Sequence, residues 1–208
     1  MNLPRWAGLV VVALLAGCAT LRSPPDPEKQ KTAEQQWTQR RADLSHINRF
    51  LMSSRLAYGK VLGVKADLRW QQNANGSFDM RISGPFGIGA ATLTGDRQRV
   101  LVRTREGDYD TPNPEQWLTE RMGWTLPLNN LRYWVLGLPA PQSEAAIELN
   151  IKGQVVLLEQ DGWRLEYSEY QSKDGYDLPR KFEATNPTVK LKVVLDEWSD
   201  LPTLQRNQ

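Results

Sequence analysis

The sequence has one cysteine, Cys18, and one histidine, His46, among 208 residues. No disulfide can close within the chain, and neither a metal set nor a Cys/His nucleophile pair can be assembled. HExxH, CxxC and EF-hand spacings are all missing. His46 reads as a solvated helix residue. Gly84-Pro85-Phe86-Gly87-Ile88-Gly89 looks like a phosphate cradle only on the surface, since it joins two strand-like segments and lacks the Lys and Ser or Thr such a loop needs. Carboxylate pairs such as Glu166 with Glu169, or Asp174 with Asp177, arise by chance among 24 acids. Enzyme chemistry has no constellation to stand on, and no organic cofactor or metal is expected. Charge of one sign is missing too: 26 basic side chains face 24 acidic ones, which removes the basic face that nucleic-acid binding requires.

Long hydrophobic runs are also lacking. The longest, Ala7 to Ala16, is broken by Gly8 and is roughly half the 20 apolar residues a membrane-crossing helix needs. With Arg5 before it and Leu15-Ala16-Gly17-Cys18 after it, the run reads as a signal peptide over residues 1–17. The tetrad looks like a lipobox, in which small residues let a peptidase reach the bond before a cysteine already carrying a diacylglyceryl group. Cys18 is then the first residue of the mature chain, with S-diacylglyceryl and N-acyl groups as its covalent modification. The competing reading is a structural thiol after an ordinary signal. Ala19 follows where Asp would favour inner-membrane retention, so the expected location is the outer membrane, lipid-anchored and facing the periplasm.

Residues 18–32 carry three prolines and few apolar side chains and read as a lipidated terminus and tether. A single domain is expected over 33–208. Ala33, Trp37, Leu44, Ile47 and Leu51 fall at helical spacing, which predicts a helix over 33–48. From Arg55 the period changes to two. Val64, Ala66, Leu68 and Trp70 face one way. Phe78, Met80 and Ile82 do the same after the hairpin chemistry of Asn73-Ala74-Asn75-Gly76. More strands are expected at 90–96, 99–105 and 107–111. Asn113 and Pro114 start a short helix ending at Gly123, and a second runs from Leu128 to Leu136 before Gly137 and Pro139. Alternation returns around Ile147, Trp163 and Val189. About eleven antiparallel strands with one apolar face must curl with that face inward, leaving the helices to cover the opening.

Seven tryptophans lie beyond residue 17. They could simply fill a core, or they could line a roomy apolar pocket that admits flexible acyl chains. Trp198 has the wrong parity for the inward face of its strand, so it needs a bulge or points outward. Phe86, between glycines and after Pro85, sits at a tight turn with little core to reach, either folded back on the sheet edge or exposed for a reason.

Leu68-Arg69-Trp70-Gln71-Gln72, Gly84-Pro85-Phe86-Gly87, the segment Pro127 to Pro139 with its Pro-Leu-x-x-Leu-x-x-Trp-x-x-Gly-x-Pro pattern, Gly162-Trp163 with Tyr167, and Val189-Lys190-Leu191-Lys192 leading to Trp198 resemble the LolB family of outer-membrane lipoprotein receptors. The resemblance implies a mainly β fold: an unclosed antiparallel β-barrel with a helical lid over a hydrophobic cavity. It implies that the periplasmic carrier LolA is the partner that hands over lipoproteins, whose acyl chains enter the cavity before release into outer-membrane phospholipid, with the receptor a monomer. It places Trp70, Trp134, Trp163 and Trp198 at the acyl-chain cavity, with a bulge before Trp198. Pro85, Phe86 and Gly87 fall in a membrane-insertion loop, where the family commonly has leucine at the position of Phe86. The rival class is a non-catalytic assembly or scaffold lipoprotein that binds an envelope protein by a sheet edge.

Overall fold

The structure is a computed structural model that describes residues 27–59, 63–85, 90–122 and 127–204. The signal peptide, Cys18, Phe86 and Gly87 lie outside the described residues.

Helix α1 (Pro27–Ser45) is followed by six strands: β1 (Phe50–Gly59), β2 (Val64–Gln72), β3 (Phe78–Ser83), β4 (Ala91–Gly95), β5 (Val100–Thr104) and β6 (Gly107–Thr111). Helices α2 (Pro114–Met122) and α3 (Leu128–Trp134) come next. The chain continues through β7 (Ala145–Leu149), β8 (Val155–Gln160), β9 (Trp163–Lys173), β10 (Tyr176–Thr185) and β11 (Lys190–Ser199). All strand pairs are antiparallel, in the order β6-β5-β4-β3-β2-β1-β11-β10-β9-β8-β7. The two edges, β6 and β7, do not pair, so the barrel is unclosed. The stretch of chain between those edges carries α2 and α3.

Register explains why the interior is apolar. Opposed residues share a face of the sheet, and one row runs Tyr109, Val102, Leu93, Met80, Trp70, Met52 and Trp198 across seven strands. A parallel row runs Ala66, Leu56, Val193, Phe182 and Tyr167. The tight hairpins follow from local chemistry: Asp161-Gly162 and Asp174-Gly175 hold positive φ at both residues, the type I′ turn that matches strand twist.

Three expectations are corrected. The helix spans 27–45, not 33–48, so it begins inside the stretch read as a tether. Strand β1 begins at Phe50 rather than Arg55. Leu51 therefore belongs to no helical stripe: it lies on the outer face at 43% exposure while Phe50 and Met52 on either side are buried. A strand held between β2 and β11 imposes period two, whatever helical spacing Leu51 has with the residues before it. The parity of Trp198 is resolved by a bulge. Opposite Ser53/Ser54 the register skips Asp196, so Asp196 and Glu197 are both exposed and Trp198 turns inward to 2% exposure.

Helix α1 packs at the β7–β8 and β9–β10 turns. Ala33, Trp37 and Leu44 are buried. The Arg40 guanidinium pairs with Asp177 and lies 5.1 Å over the Tyr170 ring. Gly153 lets the helix approach, because a Cβ there would sit 2.6 Å from the Trp37 backbone nitrogen and 2.8 Å from the Ala33 carbonyl oxygen.

Candidate functional site: a lidded apolar seam

Helix α2 starts as its sequence dictates. Asn113 Oδ1 accepts from the Gln116 backbone N–H at 3.1 Å, and Pro114 takes the first helical position, where no N–H partner is needed. Helix α3 ends on Gly137 with φ of 74°. There the Leu138 N–H reaches the Tyr133 carbonyl at 3.0 Å and the Gly137 N–H reaches that of Trp134 at 3.0 Å, closing the helix on itself.

What holds α3 is a buried glutamine at the end of β8. Gln160 Oε1 accepts from Trp134 Nε1 at 2.9 Å and from the Ala140 N–H at 2.9 Å. Its Nε2 donates to the Ala140 carbonyl at 2.7 Å, and to the Ser143 carbonyl and hydroxyl at 3.1 and 3.0 Å. Tyr167 on β9 donates its hydroxyl to the Trp134 carbonyl at 2.9 Å, and Asn130 donates to Asp161 at 2.6 Å. A buried amide with all its valences used fixes one geometry, so α3 rides on the β8–β9 side of the barrel.

Its other side is held differently. Toward β2–β5 the polar ties are exposed and long: Arg97 to the Tyr133 hydroxyl at 3.3 Å, and the Asn129 N–H to Glu115 of α2 at 3.2 Å. Trp117 of α2 packs at a tilt against Tyr109 of β6, with ring centroids 5.2 Å apart, so α2 goes with the opposite edge. The seam runs between α3 and the β1–β3 wall. There Leu131 and Val135 face Leu56, Tyr58, Ala66, Leu68, Ile82, Leu191 and Val193 across an apolar cleft of about 30 Å³. That is room for roughly one or two waters and too little for an acyl chain while α3 and the wall keep this spacing. The rim is apolar as well, with Val64 at 48% exposure. Strand β3 leaves the cleft through Ile82 toward Pro85, which is exposed.

The four tryptophans expected at a cavity are all buried and inward, in two separate clusters. Phe50 stands edge-on between Trp70 and Trp198 at 5.3 Å from each, while Trp134 and Trp163 lie 6.0 Å apart on the far side. Trp70 lines a cavity of about 130 Å³ with Arg97 and Arg132, and Trp163 lines an open polar groove of about 780 Å³ with Asn130 and Asp161. The apolar cleft itself is walled mainly by aliphatic side chains. Sequence reasoning missed Gln160. Its one sequence signal is parity: it shares the inward face with Leu158, two residues before it, at a position where an unpaired polar group would be costly. His46 is exposed, with Nδ1 2.8 Å from the Ala42 carbonyl.

Among the described residues no helix is long and apolar enough to cross a membrane, and no cluster of three or more His, Cys, Asp or Glu could hold a metal. In solved structures the chain is similar to a LolA superfamily protein of Nitrosomonas europaea, with TM-score 0.49 and 8% identity over 82% of this chain and 94% of that one. It is also similar to a putative outer membrane lipoprotein-sorting protein domain of Vibrio parahaemolyticus, with TM-score 0.48 and 9% identity over 86% and 95%. In sequence it is 36% identical over 206 residues to the outer-membrane lipoprotein LolB of Pseudomonas aeruginosa strain LESB58, covering 95% of this chain and 97% of the relative. The LolB of Chromohalobacter salexigens is 33% identical over 194 residues, covering 93% and 89%. The profile of the family described as outer membrane lipoprotein LolB matches residues 48–198, from just before β1 to Trp198, and the chain belongs to the LolB family of outer-membrane lipoproteins, with a role in lipoprotein localisation.

Proposed function

We propose that this protein accepts lipoproteins from the periplasmic carrier LolA, holds their acyl chains in the seam beneath α3, and inserts them into the inner leaflet of the outer membrane, to which its own lipids on Cys18 anchor it. The observation that carries this reading is the cleft between α3 and the β1–β3 wall: walled by aliphatic side chains and Tyr58, open at its rim, and closed by a helix whose ties on one side are weak.

Physical chemistry asks for such a device. A triacylated cargo hides roughly forty methylenes at about 0.8 kcal/mol each, so free passage through water is excluded and chains must move from one sheltered surface to another. A bias of about 1.4 kcal/mol per transfer gives a tenfold preference for the acceptor. No nucleotide is needed at this step. Phe86, three residues past the end of β3 in the chain, serves as the apolar point that touches the bilayer.

The test uses purified carrier loaded with a radiolabelled lipoprotein and the full-length protein in liposomes. Cargo should move to the liposomes without nucleotide, and a nucleotide requirement would sink the reading. Phe86→Glu should leave receipt of cargo within twofold of wild type while slowing release by about tenfold. Equal loss in both steps would mean that the substitution damages the fold.

A further inference from the structure

The sheet-facing side of α3 looks onto two spaces rather than one. Leu131 and Val135 border the apolar cleft, while Leu128 and Arg132 border the cavity of about 130 Å³. Met80 is the one residue that lines both. A methionine is unbranched and turns between rotamers readily, so the wall between the two spaces is the softest kind a core can build.

The two spaces differ in polarity. The cavity holds Arg132, half-buried on α3, whose guanidinium lies 5.8 Å over the Tyr133 ring and pairs with no carboxylate among the described residues. Burial, and then the nearby Arg97, pull its pKa down, as expected of a cation lacking an acceptor. Beside it Trp70, at 1% exposure, carries an indole N–H with no hydrogen-bond partner. The Trp70 nitrogen is itself sealed from the cavity, whereas the Arg132 guanidinium lines it without an acceptor, which calls for oxygen atoms from outside the chain.

The charge of those oxygens is also constrained. Asp96 and Glu115 line the same cavity. Asp96 is occupied by the N–H groups of Gln98 and Arg99 at 2.7 and 3.1 Å, and Glu115 by the Asn129 N–H at 3.2 Å. These two carboxylates balance the two guanidiniums of Arg97 and Arg132 on the same wall, which favours a neutral carbonyl over an anion.

We propose that this cavity is the subsite for the ester and amide carbonyl oxygens of the acylated cysteine, with Arg132 as their donor, and that the acyl chains run past Met80 into the apolar cleft. The proposal rests on the receptor reading and adds to it a head-group end. The cargo is then held in one direction, linkage at Arg132 and chain ends toward Tyr58 and Val64.

The experiment measures binding to the full-length protein of three probes: an N-palmitoyl-S-dipalmitoylglyceryl cysteinyl peptide, a pyrene-labelled long-chain alkane, and dipalmitoyl phosphatidylglycerol. Arg132→Met should weaken the lipopeptide by about tenfold and leave the alkane within twofold, with Arg132→Lys in between. Equal loss of lipopeptide and alkane would reduce Arg132 to a residue that holds the lid. No loss of lipopeptide would remove it from the site altogether. A loss larger for phosphatidylglycerol than for the lipopeptide would reassign the cavity to lipid phosphate. If the wild-type protein binds neither lipopeptide nor alkane, the receptor reading itself falls and takes the subsite with it.

Discussion

Trp134 and Gln160 are 26 residues apart in the chain and joined by a buried hydrogen bond of 2.9 Å from indole to amide. This contact ties α3 to β8, while toward β1–β3 the helix faces the apolar cleft. Gln160→Leu keeps the volume and removes the acceptor for two N–H groups and the donor for Ala140 and Ser143. We expect a loss of about 3 kcal/mol in urea unfolding, most of it the cost of stranded polar groups.

The tryptophans should divide by whether their N–H is used. Trp134→Phe removes one of the two donors to Gln160 Oε1, whereas Trp198→Phe removes an N–H that has no partner. Both open a similar cavity, so the difference between them isolates the hydrogen bond. Trp134→Phe should cost about 1–2 kcal/mol more than Trp198→Phe, read from paired thermal melts. Equal costs would show that the bond contributes nothing net.

Gly153 meets α1 at a distance no side chain can share, and its φ of 63° adds strain for any other residue. Gly153→Ala should push the helix off the β7–β8 turn and cost about 2 kcal/mol or more. Amide exchange should rise along α1 while the protection of β8 to β10 is kept. Uniform loss of protection would mean that α1 and the sheet unfold as one unit.

Tyr167 and Tyr170 set an alkaline limit. Burial pushes both phenols above their ordinary value; at Tyr170 Asp177 adds to the rise while Arg40 opposes it. The unfolded chain ionises its tyrosines near pH 10, and the folded chain keeps these two protonated. Their contribution to stability is therefore whole below about pH 10 and is lost as pH rises beyond it. Tyrosinate absorbance should show Tyr167 and Tyr170, among the six tyrosines, titrating only together with loss of the fold. Smooth titration of all six in folded protein would contradict the burial.

Much of the sheet is legible in the sequence because alternation is local. Val64 to Trp70 and Phe78 to Ile82 carry an inward face in their spelling, and Asn113-Pro114 and Gly137 mark helix ends by chemistry confined to one turn. Leu51 misleads for the same reason: helical and strand spacings overlap over a few residues, and only pairing with β2 and β11 selects between them.

The sequence by itself determined about eleven strands, three helices and an apolar face on most strands, since backbone periodicity and side-chain type suffice for that. Tertiary structure decided which of those apolar faces were left nearly touching and which were locked. Gln160, Arg132 and Met80 look ordinary in sequence. They take their roles from the closing of one sheet around α3, which brings together groups separated by tens of residues in the chain.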